Sequence, residues 1–118
     1  LYLKAVESSF EKTMKELKAN NRSIFSLSNS YFQAGMKKSS FLGIVSRDRG
    51  DLSVSNHLAS LKEKIVSTFD KSLQNRNKAT LLVGAIDGLV INSELSGNKR
   101  GAKRQIKKIV SMITKVDD

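Results

Sequence analysis

The chain has no cysteine, no proline and no tryptophan, and its 118 residues include a single histidine, His57. Without cysteine there is no disulfide framework, no thiolate metal site and no cysteine nucleophile. One histidine removes His-rich metal sites and leaves most acid–base constellations without a partner. Proline normally supplies about 5% of a chain and breaks helix interiors, so its absence favours a mostly helical protein. Long apolar runs are missing as well: no stretch approaches the ~18 residues of a membrane span. A secretory leader is not expected, because Lys4, Glu7, Glu11 and Lys12 interrupt the N-terminal apolar positions. In that context the triplet Asn21-Arg22-Ser23 reads as a chance sequon, and the expected location is cytoplasmic. Phosphate-cradling glycine loops (GxxxxGK[ST], GxGxxG) are absent, and no Ser/His/Asp arrangement has motif support. The expectation is therefore a non-enzyme with no catalytic residues, no metal and no cofactor.

What is abundant is positive charge. Lys+Arg number 21 against 11 Asp+Glu, a formal net charge of +10. Such an excess points to an anionic partner: nucleic acid, a membrane surface or an acidic protein. Lys99, Arg100, Lys103, Arg104, Lys107, Lys108 and Lys115 carry much of it, with no acid between them. Ala102, Ile106, Ile109, Val110 and Ile113 form an apolar stripe through the same segment, so it reads first as a packing helix with a basic back. No aromatic is interleaved with these charges, which argues against a platform for stacking single-stranded bases.

The length fits one domain over residues 1–118, and the 39% apolar content suffices for a core. Helical spacing recurs along it. Val6, Phe10, Met14 and Leu17 mark a helix over residues 1–19, stopped at Asn20-Asn21. Ser23 is placed to cap a second helix running to about Lys38, with apolar positions on more than one side. Phe41 to Val45 reads as a short helix in preference to a strand, and Ser46 to Gly50 as a polar loop. Val54, Leu58, Leu61, Ile65, Phe69 and Leu73 form one stripe over a helix ending near Asn75, with Lys62, Lys64, Asp70 and Lys71 facing away. His57 is read as an edge residue and Glu7/Glu11 as a solvated face.

Asn77 is the expected cap of a helix from Lys78 to about Leu95, closed by Ser96-Gly97-Asn98. Apolar residues surround this helix almost completely, which calls for cover on all sides. A chain of this size struggles to supply that alone, so a partner chain is expected. Gly84 and Gly88 lie on one face, either for close helix approach or simply tolerated in an interior. Asp87 stands out in the apolar run: it could hydrogen-bond a ligand or a facing helix, or reach solvent, and a structural role is preferred.

Two segments carry a family resemblance. Leu1-Tyr2-Leu3-Lys4-Ala5-Val6-Glu7-Ser8-Ser9-Phe10 resembles the segment that follows the DNA-binding domain in TetR-family transcriptional regulators, where a Tyr/Phe-rich turn leads into a K-x-x-L-hydrophobic-x-A-hydrophobic-E helix. Leu81-Leu82-Val83-Gly84-Ala85-Ile86-Asp87-Gly88-Leu89-Val90 is similar to the apolar-A-apolar-D-G-L pattern of that family's penultimate long helix. The order of elements between them is also similar. The resemblance implies an all-α bundle of about five to six helices, the effector-binding and dimerisation domain of a bacterial-type regulator, most often a repressor.

It implies a homodimer through the last two long helices. Leu82, Ala85, Ile86, Leu89, Val90 and Ser93 are the candidates on the first, and Ile106, Ile109, Val110 and Ile113 on the second. It implies a small apolar or amphipathic effector in a pocket walled by Phe25, Tyr31, Phe32, Met36 and Phe41, with Leu58, Leu61, Ile65 and Phe69 opposite. Operator DNA would be bound through a helix-turn-helix domain expected upstream of Leu1, so no DNA-binding residue is assigned within this chain. A start at Leu1 in place of Met agrees with a piece of a longer protein. Two alternatives stand beside this reading: a basic helical nucleic-acid-binding module, and a helical adaptor without a ligand.

Overall fold

A computed structural model describes residues 2–36, 52–97 and 100–115. All the regular structure among them is helical, in five helices. Phe41 and the short helix expected there lie outside the described residues, as do the side chains of Val6, Val54, His57 and Leu58. No described helix is long and apolar enough to cross a membrane.

Helix α1 spans Tyr2–Ala19 and α2 spans Ile24–Gly35. The break between them is polar. The Asn20 amide bonds back to the Glu16 carbonyl (3.1 Å), and Ser23, extended at φ −151°, accepts from the Ser26 amide at 3.0 Å. This satisfies one of the orphan donors of the first turn of α2. Ser30 on α2 reaches the Glu16 carbonyl at 3.3 Å, tying the two helices together.

Helix α3 spans Leu52–Leu73 and α4 spans Arg76–Ser96. α3 stops two residues earlier than its stripe predicts because Gln74 adopts a left-handed φ of 54°. Asn75, not Asn77, caps α4: it is extended at φ −158° and its side chain accepts from the Lys78 amide at 3.0 Å. Asn77 comes too late and lies inside the first turn, since the short αα connection consumes only Gln74 and Asn75. Gly97 closes α4 at φ 68°, the left-handed geometry in which a side chain would be strained. Helix α5 spans Ala102–Lys115.

α4 packs against α3, α2 and α5, and α1 covers α2 and part of α3. The core is one contiguous cluster to which every described helix contributes: Leu17 from α1, Leu27 and Phe32 from α2, Ile65 and Phe69 from α3, Leu82 and Ile86 from α4, Ile106 from α5. Tyr31 and Phe69 meet edge-to-face with centroids 5.7 Å apart, a geometry worth about 0.5–1.5 kcal/mol beyond area burial.

Candidate functional site

Two features rise above ordinary packing. The first is a polar network joining three helices. The Tyr31 hydroxyl on α2 donates to Asp87 Oδ1 on α4 at 2.6 Å. Lys62 on α3 forms an ion pair with Asp87 Oδ2, and its Nζ lies 3.4 Å from the Tyr31 hydroxyl. Lys62 therefore does not face away into solvent as its stripe position suggested. Its long stem crosses the edge of the apolar face and carries the ammonium to a carboxylate on the next helix. Tyr31 is only 1% exposed. Burial first, then the charge and hydrogen bond of Asp87, push its hydroxyl well above the usual 10.0. A phenol so held keeps its proton and serves as a donor, not as a base or nucleophile. The Lys62 and Asp87 side chains keep 31% and 17% of their surface, so the network has one end at solvent.

The second feature is the outward face of α4 and α5. Six dimer candidates turn out to be interior. Leu82, Ile86, Val90, Ser93, Ile106 and Val110 are all buried within the single chain, in the packing of α4 against α2, α3 and α5. With this packing they have almost no surface left to offer a partner. The remaining four, Ala85, Leu89, Ile109 and Ile113, are partly exposed. Their neighbours are more open still: Leu81 is 65% exposed, Ile91 42% and Met112 68%. Leu81, Gly84, Gly88 and Ile91 follow helical spacing along one side of α4, opposite its buried side. A Cβ added to Gly84 or Gly88 would meet nothing within 4 Å. No close approach among the described residues explains these glycines. Both have ordinary helical backbone, so Gly84→Ala and Gly88→Ala should each stabilise the isolated chain by about 1 kcal/mol, read from urea unfolding.

The structure brings most described pocket candidates into the core. Tyr31, Phe32, Leu61, Ile65 and Phe69 are buried together, while Phe25 and Met36 are packed against the core and remain partly open. Phe41 and the Leu58 side chain lie outside the described residues. Phe25, Asn29, Phe32 and Met36 share one stripe of α2, four, three and four residues apart. Asn29 Oδ1 on that stripe is buried without a hydrogen-bond partner. The sequence signal for it was a polar residue at a regular apolar spacing. No group of His, Cys, Asp and Glu among the described residues is arranged to hold a metal ion.

In class this is an all-helical bundle with a polar clamp through its core and an apolar face turned outward. No protein-family model, no curated protein and no solved structure matches the chain.

Proposed function

We propose that this chain is the effector-binding and dimerisation unit of a TetR-like transcriptional regulator, acting with a helix-turn-helix domain that precedes it. The observation that carries the reading is the outward apolar face of α4 and α5, the two helices that the resemblance assigns to the dimer. Large apolar side chains left exposed on both helices, Leu81, Ile91 and Met112, support an interaction site there. Its glycines allow a second helix to come close, and a two-fold contact would pair the face with its own copy. The interface is thereby moved from the buried residues to Leu81, Gly84, Ala85, Gly88 and Ile91, with Ile109, Met112 and Ile113.

The effector pocket is placed along the α2 stripe. Phe25 and Met36 supply apolar contact that can adapt, and the unpaired Asn29 carbonyl offers an acceptor to a ligand donor. A small apolar or amphipathic molecule there bears on α2, and through Tyr31–Asp87 on α4. It releases DNA if it binds one dimer geometry more tightly than the other. Native mass spectrometry at about 10 μM tests the reading: a dimer is expected, and a clean monomer overturns it.

A second reading, a nucleic-acid-binding module, draws on the exposed Lys103, Arg104, Lys107 and Lys108 of α5. It requires affinity for duplex to fall steeply with salt.

A further inference from the structure

Helix α1 carries a feature that neither dimerisation nor the α2 stripe uses. A groove of about 560 Å³ runs along it and meets α3. Met14 and the exposed edge of the otherwise buried Phe10 form its apolar floor, and Lys12, Lys15, Lys18 and Lys64 its rim. Lys64 leans inward, with Nζ 5.9 Å from the centre of the Phe10 ring. Glu11 is the one acidic side chain on the lining, so the rim is strongly positive. A second recess, bordered by Lys12, Lys15, Glu16, Ala19 and Asn20, adjoins it towards the end of α1.

We propose that this groove binds a dissolved amphipathic anion of the fatty-acid type, with its chain on Phe10 and Met14 and its acid group among the rim lysines. The volume lies within the roughly 300–1,000 Å³ of small-molecule sites. From Ser8 to Lys18 the helix advances about 15 Å, room for a medium-length acyl chain. Lysine suits both ends of such a ligand, because its methylene stem covers the chain while its ammonium meets the head group. Nucleic acid would leave the apolar floor without a purpose. A protein partner of standard size needs about 800 Å² on each side, more than one groove beside one helix presents. This proposal does not depend on the regulator reading, since the residues lie apart from both the α2 stripe and the α4–α5 face.

The test is calorimetry with sodium decanoate, well below micelle formation, on the whole chain. Two charge-matched variants are compared: Lys12→Glu/Lys15→Glu in the groove and Lys103→Glu/Lys107→Glu on α5, each checked for helicity by circular dichroism. The groove pair should weaken binding at least tenfold and the α5 pair less than twofold. Met14→Gln should weaken it about fivefold, and the Met14 methyl resonance should shift on titration. Acetate and 1-decanol, each carrying half of the recognised chemistry, should bind at least tenfold more weakly than decanoate. Absence of decanoate binding overturns the proposal. So do equal losses in the two charge-reversed pairs, which would mean general attraction to a basic protein. Sedimentation with phosphatidylglycerol vesicles in the absence of decanoate binding would assign the surface to a membrane and overturn it as well.

Discussion

Leu81→Glu combined with Met112→Glu should leave the chain folded and turn a dimer into a monomer. Both side chains are about two-thirds exposed within one chain, so the substitutions remove little internal contact. Surface changes of this kind alter stability by about 0.5 kcal/mol or less. In a two-fold contact each substitution appears twice, which brings four carboxylates into an apolar interface beside their own copies. Like charges brought together at an interface cost several kcal/mol, and 2.7 kcal/mol already corresponds to about a hundredfold. Sedimentation equilibrium should therefore show a dimer Kd raised at least a hundredfold with an unchanged helical spectrum. A dimer that survives both substitutions places its interface elsewhere. The same experiment at Ile86 or Ile106 would be uninformative, because those side chains hold the monomer's own core together.

Asp87→Ala should destabilise the fold by about 2–3 kcal/mol, seen as a loss of about 10 °C in Tm. The substitution strands the buried Tyr31 hydroxyl, which has Asp87 as its acceptor, and leaves Lys62 without its ion-pair partner. Breaking a fully buried ion pair costs about 3–5 kcal/mol, but Lys62 is partly exposed and can turn its ammonium to water, which lowers the figure. Tyr31→Phe removes the donor together with its need for an acceptor and should cost only about 1 kcal/mol. The double variant should show a coupling above about 0.5 kcal/mol, since the two groups share one hydrogen bond. Additive effects would show that the network contributes nothing as a unit.

The same network contributes to the loss of stability at alkaline pH. The hydroxyl of Tyr31 is raised well above 10.0 in the folded chain and titrates near 10 in the unfolded one. The stability it confers is complete below about pH 10 and is lost as pH rises toward the folded value, because the unfolded state gives up the proton first. Tyr31→Phe should flatten this part of the stability–pH curve.

Local pattern made the helices legible. The Phe10/Leu17, Leu61/Ile65/Phe69 and Ala102/Ile106/Val110 spacings each mark a side that the structure buries. Ser23 and Gly97 mark ends for reasons contained in their own chemistry, a short side-chain acceptor and a free φ. Asn75 against Asn77 was not decidable in this way, since two asparagines flank Arg76 and only the geometry of the turn after Leu73 selects one.

The sites were less legible. Around most of α4 the positions are apolar, so periodicity cannot tell the side that meets α2, α3 and α5 from the side left open among the described residues. The core took Leu82, Ile86 and Val90, and left Leu81 and Ile91 outside. Lys62 looked like a solvated residue because a stripe records the direction of Cβ and not the reach of a four-carbon stem. Asn29 drew no reading from its spacing, and only the fold shows its acceptor buried without a donor.

By itself the sequence determined the all-helical class of the described residues and most of their helix ends. These follow from residue identity and from spacing within one helix. Only the tertiary structure decided which face of α4 is core and which is open, that Tyr31, Asp87 and Lys62 form one network, and that Lys64 joins three lysines of α1 around a single groove. Each of these depends on residues from different helices, and the distance between helices is set by packing that no local pattern encodes.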